Sequence, residues 1–202
     1  MTDSTIYHDI AMRTDGAFLL GVVGPVRTGK STFIKRFMET LVIPNIENVY
    51  QRERAKDELP QSGSGRTIMT AEPKFVPEEA AEIRLEDGTA ASMRLIDCVG
   101  YMVEGALGGL EEELPRMVRT PWFDYDIPFE DAAELGTRKV ISEHSTIGIV
   151  VLTDGSITGL SQEAYAPAEE KVFAELKNTG KPFTVVLNSL YPASPQVKAL
   201  AE

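Results

Sequence analysis

Residues 24–31 read Gly-Pro-Val-Arg-Thr-Gly-Lys-Ser and match the pattern GxxxxGKS/T at every fixed position. The apolar run 17–23 directly before them indicates a buried strand, and residues 31–38 indicate the start of an amphipathic helix. A strand, a glycine-rich loop and a helix, in this order, form a clamp for the phosphates of a nucleoside triphosphate. The stretch therefore predicts an α/β fold with a nucleotide site at the end of its first strand.

The predicted clamp gives each residue of the loop a role. Backbone N–H groups and the helix N-terminus attract phosphate because they carry partial positive charge. We expect Lys30 to bridge the β- and γ-phosphates and the Ser31 hydroxyl to ligate Mg²⁺. The motif predicts the following nucleotide-contacting residues: Gly24, Pro25, Val26, Arg27, Thr28, Gly29, Lys30, Ser31 and Thr32.

The composition narrows the class of protein. A chain of 202 residues can bury a sizeable core, and its net charge of −11 argues against a nucleic-acid partner. The single cysteine, Cys98, excludes an internal disulfide and fits a reducing compartment. No signal peptide and no run of about 18 apolar residues is visible, so we expect a cytosolic protein without a transmembrane segment.

Hydrophobic runs outline the rest of the chain. They predict strands at 17–23, 74–76, 82–85, 92–96, 146–153 and 183–187, and helices over 31–41 and 166–178. Residues 86–89 carry a hairpin turn signal, 47–66 have a charged loop composition, and 101–142 are interpreted as an irregular insertion. The alternation predicts a largely parallel sheet with helices on both faces. The whole of 1–202 is interpreted as one domain after a polar lead-in, 1–16, and its end soon after the last strand suggests a piece of a longer protein.

A second motif lies about 70 residues after the clamp. Residues 95–100 read Leu-Ile-Asp-Cys-Val-Gly, an apolar strand that ends in the DxxG pattern of GTPase switch loops. In that interpretation Asp97 holds Mg²⁺ through water and the Gly100 N–H senses the γ-phosphate. The pair of motifs predicts a P-loop NTPase of the GTPase-like (TRAFAC) type. A strand-terminal Asp in an ordinary turn is the alternative.

Threonines lie between the two motifs, just before a predicted strand. In switch GTPases a threonine in this position folds over the nucleotide and ligates Mg²⁺. Thr70 is the predicted sensor because it is nearest the strand, with Thr67 as the competing candidate. Either residue could instead serve only in a turn.

The predicted base-recognition segment departs from the GTPase pattern. GTPases carry Asn-Lys-x-Asp after the penultimate strand, and the Asp reads the guanine edge. Here the corresponding residues are Asn188, Ser189, Leu190 and Tyr191, so the Asn is present but the Lys and Asp are not. Without its acceptor such a site loses guanine discrimination, which makes ATP the expected nucleotide, with Asn188 near it.

Two further positions differ from the usual catalytic parts. Tyr101 follows DxxG where many GTPases have a water-positioning Gln. Arg27 stands where cation-dependent GTPases carry an Asn that holds potassium beside the phosphates. Its guanidinium could supply that charge within the same chain, as arginine fingers do, or could point to solvent.

Long runs outside these motifs resemble the stage IV sporulation protein A family of bacterial spore-coat ATPases. The resembling segments are 21–37, 57–62, 67–76, 94–101, 115–122, 136–148 and 180–189. In that family Lys30, Thr70 and Asp97 match the phosphate, sensor-threonine and Mg²⁺ positions. The family pattern has a second threonine where this sequence has Ala71, which bears on hydrolysis rather than on binding.

The resemblance implies a GTPase-derived domain that hydrolyses ATP, with hydrolysis driving self-assembly into a static polymer. It also implies a place in the mother-cell cytosol on the forespore surface, reached through a small amphipathic membrane-binding peptide and shared with other coat proteins. The family's full-length chain is more than twice as long. The competing functions are a switch-type GTPase and a scaffold that binds nucleotide without cleaving it.

Overall fold

The computed structural model describes residues 17–60, 71–84, 90–106, 109–111 and 114–201. Its main strands are Ala17–Val23 (β1), Lys74–Arg84 (β2), Ala90–Asp97 (β3), Ile147–Thr153 (β4) and Phe183–Asn188 (β5). They form one five-stranded sheet in the order β2-β3-β1-β4-β5. All neighbours are parallel except β2 and β3.

The two faces of the sheet are covered by different helices. Alternate side chains of a strand point to opposite faces, so Ile149 and Val151 enter one apolar cluster and Val150 enters another. The first cluster contains Ile34 of helix α1 (Lys30–Phe37), and the second contains Val172 of helix α4 (Gln162–Thr179). The predicted α/β fold with a mostly parallel sheet and helices on both faces is confirmed.

The region predicted as a charged loop contains a helix, which corrects that prediction. After α1 the chain continues through a π-helical turn, Met38–Val42, and a 3₁₀ turn, Ile43–Asn45, into helix α2 (Val49–Asp57). The Asn48 side chain caps α2 by accepting from the N–H groups of Tyr50 and Gln51. Only Ala55 of α2 is buried, so the sequence has no apolar stripe to reveal the helix.

The segment 101–142 is likewise not irregular throughout. It holds two short ribbons, Leu110–Glu111 with Leu114–Pro115 and Met117–Val118 with Ile127–Pro128, followed by helix α3 (Phe129–Lys139). A π-helical turn, Val140–His144, leads from α3 into β4. The interpretation of this part as irregular is wrong, because the buried residues of α3 recur at the three- and four-residue spacing of a helix: Phe129, Ala132, Ala133, Gly136 and Thr137.

Other boundaries differ less from the predictions. The two strand segments predicted at 74–76 and 82–85 belong to one strand, β2, whose register against β3 shifts between Val76 and Ala81. Helix α4 begins at Gln162, four residues before its predicted start, and contains Pro167. A further helix, α5 (Pro195–Ala201), follows β5. The predicted lead-in 1–16 and turn 86–89 lie outside the described residues.

Within the described part of the chain, no helix has the length and apolar content needed to cross a bilayer.

Candidate functional site

The glycine-rich loop, residues 24–31, connects the carboxyl end of β1 to the start of α1, as the motif predicts. Its backbone is fixed from within, since the buried Thr28 hydroxyl donates to the Pro25 carbonyl (3.1 Å). Gly29 and Arg27 have φ values of 94° and 64°, in the left-handed region. The loop therefore turns sharply ahead of α1 and presents its backbone at the edge where the parallel strands end.

Lys30 lies inside this loop with only 5% of its surface exposed. Its Nζ donates to the carbonyl oxygens of Pro25 (2.6 Å) and Gly24 (3.3 Å). Burial lowers the pKa of the ammonium, and the neighbouring Cys98 and Asp97 oppose that shift. The side chain is thus a desolvated cation beside the loop, the electrostatic setting that a phosphate anion would stabilise.

Asp97 ends β3, the parallel neighbour of β1, and lies beside Ser31. Burial raises the pKa of its carboxyl group, while the neighbouring Ser31 hydroxyl and Lys30 ammonium act in the opposite direction. Atom Oδ1 is buried without a partner among the described residues. An unpaired buried carboxylate oxygen next to a hydroxyl is a hard-oxygen donor set, which fits Mg²⁺.

Gly100 brings the DxxG segment against the glycine-rich loop. Its φ is 96°, and a Cβ at this position would collide with the Gly24 carbonyl oxygen, so only glycine fits. The Val26 N–H donates to the Tyr101 carbonyl (2.8 Å), which ties the two segments together. The Gly100 N–H itself donates to the hydroxyl of Thr137 on α3 (3.1 Å).

The Tyr101 side chain does not reach the site. Its ring is buried in the cluster on the α4 face, and Lys171 of α4 lies over the ring with Nζ 5.9 Å from the centroid. Burial is the main reason that the pKa of the phenol lies far above its usual value, and the nearby Glu175 raises it further. Tyr101 therefore does not stand in for a water-positioning Gln in this arrangement.

The side chain of Asn188, at the end of β5, contacts the glycine-rich loop and does not point to solvent. Its Nδ2 donates to the Thr28 carbonyl (3.0 Å). The next residue, Ser189, donates to Oδ2 of Asp154 (2.7 Å), and Oδ1 of Asp154 accepts from the N–H and hydroxyl of Ser156. Oδ1 of this carboxylate thus accepts two hydrogen bonds and Oδ2 accepts one, so Asp154 holds the turn after β4 and the segment after β5 together.

Sequence reasoning missed Asp154, Ser156 and Thr137. The first two follow β4 directly, and the general rule that ligands bind where parallel strands end was a usable signal for them. Thr137 sits in a helix and belongs to no motif, so nothing local in the sequence marks it. Cys98 is buried, and burial raises the pKa of its thiol to about 11, so it serves as a small filler of the core rather than as a nucleophile.

The remaining predicted residues are placed as follows. Arg27 and Thr32 are exposed, and the Arg27 guanidinium has no hydrogen bond or ion pair to any residue that the structure describes. Thr70 and its competitor Thr67 lie outside the described residues, whereas Ala71 is buried beside α3. The fold thus brings together the glycine-rich loop, Asp97, Gly100 and Asn188.

We expect Asp97→Asn to raise the thermal stability of the nucleotide-free protein at pH 7 while removing Mg²⁺-dependent nucleotide binding. Because the folded-state pKa of Asp97 is raised, its ionised form destabilises the fold once the pH exceeds the unfolded value of 3.8. The melting temperature should rise by about 2–4 °C for each kcal/mol added to the free energy of unfolding in a protein of this size. The rise should become smaller as the pH falls toward 4.

Asp154→Asn is the matched control for that experiment. Burial opposes ionisation of Asp154, but hydrogen bonds from Ser156 and Ser189 outweigh it and lower its pKa. Its replacement should therefore lower the melting temperature at pH 7. Thermal melts of both variants between pH 4 and 7 test these two expectations. A lower melting temperature for Asp97→Asn at pH 7 would contradict the inference that ionised Asp97 destabilises the fold.

Comparison with known proteins identifies the family. A family model described as stage IV sporulation protein A, ATPase domain, matches residues 1–202. Stage IV sporulation protein A of Clostridioides difficile (strain 630) is 58% identical over 198 residues, which are 98% of this chain and 40% of that protein. The proteins of the same name from Bacillus subtilis (strain 168) and Bacillus anthracis are each 57% identical over 197 residues, again 98% of this chain and 40% of theirs.

The chain thus spans about two fifths of the length of these curated relatives. The match nevertheless extends over nearly all of the chain, including the glycine-rich loop and the DxxG segment. It confirms the resemblance predicted from the residues. The chain belongs to the stage IV sporulation protein A family, and what it matches there is the ATPase domain.

Proposed function

We propose that this domain is a P-loop ATPase of the GTPase-like (TRAFAC) type, which cleaves ATP to ADP and phosphate with Mg²⁺. The observation that carries the proposal is the buried Lys30 ammonium near an Asp97 carboxylate oxygen that has no hydrogen-bond partner in the described part of the chain. A desolvated cation and an unpaired anion at the end of a glycine-rich loop fit a phosphate and its metal ion, respectively.

In this proposal the chain's residues bind and orient the triphosphate. Backbone N–H groups of residues 27–32, which include the N-terminus of α1, hold the α- and β-phosphates. Lys30 turns from its carbonyl partners to the β- and γ-phosphate oxygens. Ser31 and Asp97 would hold Mg²⁺, which neutralises charge on the phosphates, and Thr70 would join them when its segment closes. The N–H of Gly100 donates to the γ-phosphate.

Adenine is the proposed base because the guanine-reading acceptor is absent. Asn188 is committed through its Nδ2 to the Thr28 carbonyl, and Asp154 accepts hydrogen bonds at both oxygens. The Asp that would accept from guanine N1–H and its amino group in the Asn-Lys-x-Asp pattern is replaced here by Tyr191. Such a site loses the discrimination that a paired acceptor gives, and so admits ATP.

For the whole protein, we propose the role that the relatives' name suggests. Stage IV sporulation protein A names a sporulation function, and the proposed one is a spore-coat scaffold whose ATP hydrolysis drives self-assembly on the forespore surface in the mother-cell cytosol. Proposed partners are further copies of the protein, other coat proteins and a small amphipathic membrane-anchoring peptide. No nucleic-acid partner is proposed, in keeping with the net charge of −11.

Phosphate release and nucleotide competition test the biochemical proposal. Purified protein should release phosphate from ATP in the presence of Mg²⁺ and cease to do so in EDTA. Unlabelled ATP should displace a fluorescent ATP analogue at least as well as GTP does. A strong preference for GTP would instead identify a switch-type GTPase, and binding without phosphate release would identify a nucleotide-binding scaffold without turnover.

A further inference from the structure

Helix α3 touches both segments that are proposed to sense the γ-phosphate, through two consecutive residues. A Cβ at Gly136 would lie 2.8 Å from the Ala71 carbonyl oxygen, so the helix packs directly on the backbone that follows Thr70. The adjacent Thr137 accepts a hydrogen bond from the Gly100 N–H at 3.1 Å. One helix therefore supports the backbone of both segments, although no motif includes it.

The Thr137 hydroxyl is fully buried and has a hydrogen-bond partner both as donor and as acceptor. It donates to the Ala133 carbonyl (2.8 Å), accepts from Gly100, and lies 3.6 Å from the Cys98 sulfur. A buried backbone N–H needs an acceptor, and Gly100 is itself buried. The Gly100 N–H can therefore leave Thr137 only when another acceptor replaces the hydroxyl.

The second γ-phosphate contact, Lys30, is satisfied within the protein in the same way. Its Nζ donates to Pro25 and Gly24, while Gly100 packs against the Gly24 carbonyl. Both groups that would hold a terminal phosphate thus have internal partners. For ATP, but not for ADP, the Gly100 N–H must exchange Thr137 for a phosphate oxygen.

We infer that Thr137 is a positioning residue that sets the preference between ATP and ADP, because its hydroxyl competes with the terminal phosphate for the Gly100 N–H. The inference rests on the proposed function, in which Gly100 contacts that phosphate. With ADP bound, the Gly100–Thr137 bond persists. With ATP bound, a γ-phosphate oxygen replaces Thr137 as the acceptor for the Gly100 N–H. Loss of the Gly100–Thr137 bond therefore weakens the binding of ATP but not that of ADP.

Thr137→Val tests this inference, because valine has nearly the shape of threonine but cannot accept a hydrogen bond. In the valine variant the buried Gly100 N–H has no partner until a γ-phosphate arrives. The ratio of ATP to ADP affinity should therefore rise about three- to tenfold, the value of one hydrogen bond. Loss of the bond to Ala133 affects both complexes equally and cancels in the ratio.

Thr137→Ser is the matched control, since serine keeps the hydroxyl, and its ratio should stay within about twofold of the wild-type value. Titration calorimetry with ADP and a non-hydrolysable ATP analogue, both with Mg²⁺, gives the two affinities. If valine strains the core, Thr137→Ala removes the acceptor without adding a methyl group to the site, and the same rise is expected.

The outcomes separate this inference from the proposed function. An unchanged ratio in a folded valine or alanine variant would overturn the role of Thr137, and so would a serine variant that shifts the ratio as far as valine does. Failure of the wild-type protein to bind ATP at all would instead overturn the proposed function. A merely structural Thr137 would lower the melting temperature of the variants and leave the ratio untouched.

Discussion

Lys30→Met should weaken ATP binding by at least about a hundredfold while the protein stays folded. The Lys30 ammonium is buried, and the proposed phosphates would be its counter-charge. Removing one partner of a buried ion pair costs about 3–5 kcal/mol, which corresponds to more than a hundredfold in affinity. Methionine nearly preserves the length and volume of the side chain, so the loss reports charge rather than packing.

The same substitution should raise the free energy of unfolding of the nucleotide-free protein. The pKa of Lys30 is lowered chiefly by burial, which means that the fold disfavours the charged form. Lys30→Glu should have the opposite effect on stability, because it places a second buried carboxylate near Asp97, whose pKa burial already raises. The motif alone predicts the loss of binding but not these two effects, since it does not reveal that the lysine is buried.

Lys35→Met is the control for Lys30→Met. Lys35 lies on the same helix, is partly exposed and pairs with Glu39 at 4.0 Å, so ATP affinity should change by less than about twofold. Titration calorimetry measures the affinities, and circular dichroism verifies that both variants are folded. Near-wild-type ATP affinity in folded Lys30→Met would refute the assignment of the glycine-rich loop as a phosphate clamp.

The sequence predicted the strands well because their signal is local. Strands β1 and β4 are continuous apolar runs, as expected for central strands of a parallel sheet, and the edge strand β5 is an apolar run that is only partly buried. The glycine-rich loop and the DxxG segment follow β1 and β3, so the strand order alone places them side by side. Most of the candidate site could therefore be predicted from the sequence, because its residues follow parallel strands that end at the same edge of the sheet.

Helix α2 escaped prediction because it has no apolar stripe, whereas the buried residues of α3 do recur at helical spacing and the irregular interpretation of that segment passed over them. Helix α2 relies on the Asn48 cap and on ion pairs such as Lys56–Glu53 (2.8 Å). Helix α3 buries small residues so that backbones can approach closely, and tertiary contacts decide its position. The role inferred for Thr137 depends on that position, so the amino-acid sequence alone does not indicate it.

The loop between β1 and α1 leaves one cation facing outward, Arg27. Its φ of 64° turns the residue out of the loop, and its guanidinium is exposed, without a hydrogen bond or ion pair to the described residues. The neighbouring Thr28 is buried and bonded to Pro25, so the backbone at this point is held firmly. A cation that has no partner among the described residues, on a fixed backbone beside the proposed phosphate site, is suited to stabilise charge that develops during cleavage.

Arg27→Ala should therefore slow single-turnover ATP hydrolysis on the order of a hundredfold or more, with a smaller effect on affinity. Arg27→Lys should restore only part of the rate, because a point charge cannot bridge two phosphate oxygens as a guanidinium does. Wild-type hydrolysis should need neither potassium nor a partner protein, so replacing sodium by potassium should leave its rate unchanged.

The left-handed backbone of Arg27 calls for two additional variants. Alanine at a φ of 64° is strained, whereas glycine is not, so Arg27→Gly separates the loss of the guanidinium from backbone strain. Asparagine tolerates this conformation and is the residue with which cation-dependent GTPases hold potassium here, so Arg27→Asn should recover activity in potassium but not in sodium. Equal single-turnover rates for wild type and Arg27→Gly in sodium would show that the catalytic charge comes from another group, because a side chain that stabilises the transition state cannot be removed without slowing the chemical step.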